Sequence, residues 1–267
     1  MRGERMKKIK FLAFIFALVV VLIVAGCTYT NLSDNNIALS SVMSQETKDN
    51  AADHEESILG AGRIFGEIQE LFHGYMESKL QDEYLVLVNK ASRLDEDYVP
   101  ETLVLPEVSF TASSDKIVRV MEKKAAEALE ELFEAAREDG ITLLANSGYR
   151  SYSVQENLYK RNLRLKGREH TEKYSAEPGA SEHQTGLAMD IVSKDYQSLN
   201  EGFENTSAFQ WLSENAYKYG FILRYLQGKE EITGYAYEPW HYRYVGQPYS
   251  EYITKNNLTL EEFLSKY

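Results

Sequence analysis

Residues 181–190, S-E-H-Q-T-G-L-A-M-D, place an imidazole and a carboxylate beside a glycine and a tail of small and apolar residues. Apolar side chains alternate over residues 186–192, which predicts a half-buried strand with Asp190 pointing away from the apolar layer. Such a carboxylate needs a cation, hydrogen-bond donors or water, and His183 nearby suggests a borderline-soft metal such as zinc. Because a loop histidine and a solvated aspartate would explain this pair more simply, a third ligand is required.

The segment 237–245, Y-E-P-W-H-Y-R-Y-V, supplies that ligand. His241 completes a set of two histidines and one aspartate, which leaves a fourth tetrahedral position for water, as in catalytic rather than structural zinc sites. Glu238 lies three residues earlier, and an ideal strand would point the two side chains in opposite directions. Pro239 disfavours a helix, so we expect a bend or bulge that directs both side chains at the metal. An E-x-x-H pair alone would be weak evidence.

The segment S-G-Y-R-S at residues 147–151 follows a predicted strand and precedes a predicted helix. Arg150 therefore sits at a strand end, where a guanidinium suits a carboxylate or a developing oxyanion, although it would equally suit a solvated surface. Gln155 falls in the first turn of the helix, for which Ser153 and Glu156 have the spacing of a capping box. The side chains of Arg150 and Gln155 are both expected on one rim of the candidate site.

Hydrophobic periodicity, caps and glycines predict the other elements. The expected helices cover residues 58–80, residues 114 or 115 to 139, and a segment near 207–219 with a Ser207 and Gln210 capping box and Gly220 at its end. Strands are expected at 84–89, 141–145 and 221–225, with an extended segment at 100–108 and a loop at 166–178. The helix at 58–80 is expected to precede the domain, and the later elements suit one domain over residues 81–267.

The N-terminal segment has the pattern of an export signal, with five basic residues before an uncharged apolar run at 11–24. The run ends in V-A-G-C, which resembles the lipobox of bacterial lipoproteins, so cleavage after residue 26 would leave Cys27 as the lipid-bearing N-terminus. An uncleaved signal anchor is the alternative, although a membrane span usually needs about 20 apolar residues. Cys27 is the only cysteine, so no internal disulfide can form.

The charge of the chain argues against a nucleic-acid partner. Loss of residues 1–26 removes five basic residues and one acidic residue and moves the formal net charge from -12 to -16. A strongly acidic surface repels nucleic acids and other anionic polymers. Residues 27–57 are polar and acidic without sustained periodicity, which predicts a flexible tether between the anchor and the domain.

Three ordered motifs, S-G-Y-R-S, S-E-H-Q-T-G-L-A-M-D and E-P-W-H-Y-R-Y-V-G, resemble the VanY type of D-alanyl-D-alanine carboxypeptidase over residues from about 80 to the C-terminus. The resemblance implies an α+β fold in which helices pack on a small antiparallel sheet, as in the hedgehog/DD-peptidase zinc proteins. It also implies one zinc ion per chain.

The same resemblance implies roles for individual residues. His183, Asp190 and His241 would hold zinc, and Glu238 would be the general base. Arg150 would bind substrate or stabilise the oxyanion. Gln155 and Ser181 would help to hold the peptide. Trp240 and Tyr237 are candidates for the pocket wall, although core packing is the favoured explanation for either aromatic residue taken singly.

The expected activity is release of the terminal D-Ala from peptidoglycan stem peptides. An L,D-carboxypeptidase acting on tetrapeptide stems is the alternative within the class, and a zinc-containing wall-binding module without activity is the alternative outside it. Glycopeptide resistance and housekeeping wall maturation both fit such an enzyme. We expect a monomeric lipoprotein outside the cytoplasm, anchored in the membrane at the cell wall.

Overall fold

The computed structural model describes residues 83–266. Helices and two small sheets alternate along this part of the chain. The α-helices are α1 (Lys123–Glu138), α2 (Tyr152–Lys166), α3 (Arg168–Tyr174), α4 (Ser207–Asn215), α5 (Glu230–Thr233), α6 (Tyr249–Lys255) and α7 (Leu260–Leu264). The strands are β1 (Leu103–Val104), β2 (Met121–Glu122), β3 (Leu143–Ser147), β4 (Ala188–Ser193), β5 (Phe221–Leu223) and β6 (His241–Tyr244).

The main sheet has the strand order β3-β4-β6-β5, and every neighbouring pair is antiparallel. In the β4–β6 register Asp190 lies opposite His241, and Met189 lies opposite Tyr242. Directly opposed residues project from the same face of a sheet. Asp190 and His241 therefore share one face, and Met189 and Tyr242 share the other. The expected α+β fold is confirmed.

Helix α1 covers the apolar face of this sheet. Its buried side chains recur at helical spacing and join residues of β3, β4, β6 and α4 in one hydrophobic cluster. Burial of an apolar side chain removes its surface from water, which stabilises the fold by about 25 cal/mol per Å². Strand β4 is buried on both faces, so the prediction of a half-buried strand was wrong. The opposite face, from which Asp190 and His241 project, is covered by the polar groups of the candidate site.

Two predicted elements differ from the structure near the start of the domain. Residues 84–89 do not form a strand: a short 3-10 helix, Glu83–Leu85, is followed by irregular chain. The helix predicted from residue 114 or 115 begins only at Lys123. Met121 and Glu122 pair with β1, and the Glu122 side chain then caps α1 by accepting hydrogen bonds from Lys124 N and Ala125 N. Strand pairing therefore competes with the helical pattern at this point.

The predicted positions of two helix caps were also wrong, by one or two residues. Ser151, rather than Ser153, accepts from Val154 N at the start of α2, and Thr206, rather than Ser207, caps α4. Each true cap has an extended backbone, which the cap position requires. The predicted loop at 166–178 contains α3, and the strand predicted at 141–145 covers Leu143–Ser147. Gly220 ends its helical segment with φ +87°, as expected.

The predictions for residues 1–26, 27–57 and 58–80 lie outside the described residues. Across residues 83–266, no helix has the length and apolar character needed to cross a membrane.

Candidate metal centre and active site

A short 3-10 helix, Glu182–Thr185, contains His183 and lies directly before β4 in the chain. Gly186 follows with φ +69°, and a Cβ there would lie 2.9 Å from Glu122 N, so the turn into β4 requires glycine. The Nδ1 atom of His183 lies 2.7 Å from the carbonyl oxygen of Gly148. With a proton on Nδ1, this hydrogen bond leaves Nε2 free to bind a metal ion.

Asp190 and His241 complete a buried cluster of possible ligands. Asp190 Oδ1 is 3.5 Å from His183 Nε2 and 3.3 Å from His241 Nδ1. One ligand atom from each of the three residues lies within 4.8 Å of the others. The structure thus brings together three residues that the sequence separates by up to 58 positions.

The electrostatics of the cluster fit a cation. Burial, with Arg150 nearby, lowers the pKa of His183 to about 4, so this imidazole is neutral. Burial would also lower the pKa of His241, but the carboxylates of Asp190 and Glu182 outweigh it and raise the pKa to about 9. Burial opposes ionisation of Asp190, yet the two histidines hold its pKa well below the usual range. A metal ion would replace the proton on His241.

The geometry also fits zinc. Asp190 Oδ1 is buried and has no hydrogen-bond partner within residues 83–266, although it faces two imidazole nitrogens. In a tetrahedral zinc site with bonds of about 2.0–2.1 Å, neighbouring ligand atoms are about 3.3 Å apart. The distances from Asp190 Oδ1 to His183 Nε2, 3.5 Å, and to His241 Nδ1, 3.3 Å, are close to this value. The donor set of two imidazoles and one carboxylate is one that zinc accepts.

Glu238 lies just outside β6, before a turn at Pro239 and Trp240. The amide of His241 donates to the Glu238 carbonyl at 3.1 Å, and this turn is the bend expected between the two side chains. A Glu238 carboxylate oxygen is 3.8 Å from His241 Nδ1. Burial raises the pKa of Glu238 to about 8, against the opposing effect of His241. This environment is typical of an acid/base carboxylate.

Arg150 also lies beside the cluster. Its Nη1 atom donates to Ser147 Oγ at 3.2 Å and is 3.9 Å from Asp190 Oδ2, and its backbone amide donates to the His183 carbonyl. Within the described part of the chain, its buried Nε has no hydrogen-bond partner. Burial lowers the pKa of Arg150, and Asp190 and Glu238 oppose that effect. Arg150 therefore has donor capacity left for a ligand.

The cluster opens into a cleft of about 610 Å³, a size typical of peptide and small-molecule sites. Gln155, Ser181 and Trp240 line it, and their predicted contacts with a substrate remain predictions. Gln155 Nε2 donates to the Ala176 carbonyl at 2.7 Å, while its Oε1 has no partner in residues 83–266. Tyr237 is not a lining residue; it lies buried in contact with Glu204, so its prediction as a pocket wall was wrong.

Sequence reasoning missed Glu182 and Tyr225, which also line the cleft. The Tyr225 ring centroid is 4.9 Å from that of His241. Burial would raise the pKa of Glu182, but Arg224 and Arg243 outweigh it and hold the pKa well below the usual range. One signal was available, because Arg243 is two residues after His241 in a strand and so must project from the same face.

The family model described as "VanY: D-alanyl-D-alanine carboxypeptidase" matches residues 118–247. Among known proteins, the chain is 40% identical over 265 residues to "Putative carboxypeptidase YodJ" of Bacillus subtilis (strain 168). That match covers 96% of this chain and 97% of YodJ.

Two solved structures extend the comparison. The LdcB LD-carboxypeptidase is 47% identical with a TM-score of 0.65, and the match covers 69% of this chain and 87% of LdcB. A mutant VanY D,D-pentapeptidase from a VanB-type vancomycin resistance cassette, in complex with Zn(II), is 34% identical with a TM-score of 0.57. In that case 68% of this chain and 99% of the other are covered.

Proposed function

Because the chain belongs to the VanY family of carboxypeptidases acting on peptidoglycan peptides, we propose that it is a zinc enzyme releasing the C-terminal D-Ala of stem peptides. One observation carries the proposal: three ligand atoms from His183, Asp190 and His241 converge in a cleft, with Glu238 and Arg150 beside them. The Zn(II) complex of the related VanY supports the choice of metal.

Zinc bound by the triad would lower the pKa of its water towards about 7 and polarise the scissile carbonyl. Glu238 takes the proton from the attacking water and passes it to the leaving amine of D-Ala. Its burial and its position beside His241 suit both transfers, because the carboxyl group has a raised pKa and little competing solvent.

Arg150 provides positive charge within the same cleft. Its guanidinium binds the terminal carboxylate of the peptide or stabilises the oxyanion that develops on the scissile carbonyl. The Nε donor, which has no hydrogen-bond partner among the described residues 83–266, and the fixed Nη1 contact with Ser147 support a preorganised role. Gln155 and Ser181 hold the peptide on the neighbouring wall, where Gln155 Oε1, which has no partner in the described part of the chain, accepts from a peptide N–H.

Two specificities are candidates. Cleavage between two D-Ala residues of a pentapeptide stem is the first, supported by the description of the family. Cleavage of the L,D bond in a tetrapeptide stem is the second. It is supported by the 47% identity to the LdcB LD-carboxypeptidase, against 34% to VanY.

The proposal also includes export and anchoring. The signal at residues 1–26 directs the chain out of the cytoplasm, and lipid on Cys27 holds a monomeric domain at the cell wall. The pattern of basic, apolar and V-A-G-C segments supports this part.

The test uses the purified protein from Cys27 onward with synthetic pentapeptide and tetrapeptide stems. Mass spectrometry should show loss of one D-Ala from at least one stem, and the preferred stem identifies the specificity. A chelator should stop the release, and stoichiometric zinc should restore it. Binding of both stems without release of D-Ala from either would favour a non-catalytic module and overturn the proposed activity.

A further inference from the structure

Glu182 is a fully buried carboxylate beside the proposed metal centre. Its Oε1 atom accepts hydrogen bonds from Arg224 Nε at 2.7 Å and from Arg243 Nη1 at 2.6 Å. Both guanidinium groups are also fully buried. A buried ion cluster needs good geometry and satisfied donors to offset the loss of hydration. The chain therefore fixes one oxygen of Glu182 firmly.

The remaining donors of the two arginines are also paired. Arg243 Nη2 donates to the carbonyls of Tyr84 and Val86, while Arg224 Nη1 and Nη2 donate to the two carboxylate oxygens of Glu261 in α7. The four charged groups, two arginines and two glutamates, sum to zero. Segments from both ends of the domain thus hold the Glu182 carboxylate in one orientation.

The second oxygen of Glu182 faces the candidate metal ligand. Glu182 Oε2 lies 3.4 Å from His241 Nε2, and the opposite nitrogen of the same ring, Nδ1, lies 3.3 Å from Asp190 Oδ1. A carboxylate facing Nε2 favours the tautomer with its proton on that nitrogen. His241 Nδ1 is then left with a lone pair directed into the triad.

We propose that Glu182 is a positioning residue, which fixes the ring orientation and the tautomer of His241 so that Nδ1 binds the metal. The proposal rests on the proposed zinc site. A carboxylate that accepts from the outer nitrogen of a ligating histidine orients the ring and increases its basicity as a ligand. For His183, the corresponding partner is the backbone carbonyl oxygen of Gly148, which lies 2.7 Å from Nδ1. His183 is therefore oriented by a neutral carbonyl group and His241 by a charged carboxylate.

The alternative is a purely structural Glu182 that only neutralises two buried arginines. Glu261 separates these roles, because it pairs with the same Arg224 but makes no hydrogen bond or ion pair with His241 within residues 83–266. Glu182→Gln and Glu261→Gln each remove one negative charge from the cluster. The first also changes the group that faces His241, and the second does not.

The experiment measures the dissociation constant for zinc by competition with a chromophoric chelator, together with the melting temperature of each metal-free protein. Both variants should melt below wild type, because each leaves excess buried positive charge. Glu182→Gln should weaken zinc binding by about 10- to 100-fold, the loss expected for such a partner. Glu261→Gln should weaken it by less than about tenfold. Equal zinc affinity in Glu182→Gln and wild type, or an equal loss in both variants, would overturn the proposal.

A second measurement on the wild-type protein covers the case in which Glu182→Gln does not fold. Nitrogen-15 NMR of the zinc-loaded protein should show a slowly exchanging Nε2–H on His241 and a fast-exchanging ring proton on the exposed His170. A proton on Nδ1 of His241, or an Nε2–H that exchanges as fast as that of His170, would contradict the assignment. Wild-type protein that binds no zinc would instead overturn the proposed function, so the two failures are distinct.

Discussion

Glu238→Gln should separate the proposed proton transfer from metal binding. The substitution keeps the shape of the side chain and removes the proton acceptor. Glu238 is 9% exposed, so bulk water has little access to replace it. The nearby carboxylates of Asp190 and Glu182 face the histidines and arginines, so neither is free to substitute. The loss should therefore lie at the upper end of the usual range for a general base, about 10³- to 10⁴-fold in kcat.

That loss corresponds to about 4–5.5 kcal/mol in the activation barrier. Zinc content should stay at the wild-type level, because Glu238 is not one of the three clustered ligands. The fold should also persist, since a neutral amide is easier to bury than a carboxylate.

The assay combines D-Ala release from stem peptides with elemental analysis of the purified protein. His241→Ala is the comparison, because it should lose zinc as well as activity. Turnover of Glu238→Gln within tenfold of wild type, with zinc retained, would refute the assignment of Glu238 as the base.

Three further predictions concern the metal, the packing and the export signal. Saturating zinc at about 100 times its dissociation constant should raise the free energy of unfolding by about 2.7 kcal/mol, as measured by urea denaturation; no change would exclude a folded-state zinc site. Gly148→Ala should lower the free energy of unfolding by about 1–3 kcal/mol, because the new Cβ would lie 2.5 Å from Val120 O; wild-type stability would show that the loop adapts without strain. Cys27→Ser should abolish incorporation of labelled lipid, and retained label would contradict the lipobox assignment.

The candidate ligands could be predicted because residue types that bind metal ions occur close together in two short segments of the sequence. His183 and Asp190 occur within eight residues, and His241 and Glu238 within four. A carboxylate on an apolar strand demands a partner wherever the strand lies. Gly220 was likewise predictable, since a helix that ends in a left-handed residue favours glycine.

Other features depended on tertiary contacts. The pattern at residues 114–122 is compatible with a helix, yet pairing of Met121 and Glu122 with β1 delays α1 to Lys123. The sequence places Tyr237 and Trp240 in one aromatic, strand-like segment and does not distinguish their surroundings. In the structure a turn at Pro239 and Trp240 interrupts this segment, and Trp240 lines the cleft whereas Tyr237 does not.

The partners of Glu182 are the clearest example of contacts that the sequence does not predict. Its neighbours in the sequence identify it only as part of a motif, whereas its partners Arg224 and Arg243 lie 42 and 61 residues away. The sequence by itself determined which residue types form the candidate centre. Only the tertiary structure decided that two buried guanidiniums hold this carboxylate against His241, because charges far apart along the chain interact strongly only when folding brings them together and excludes water.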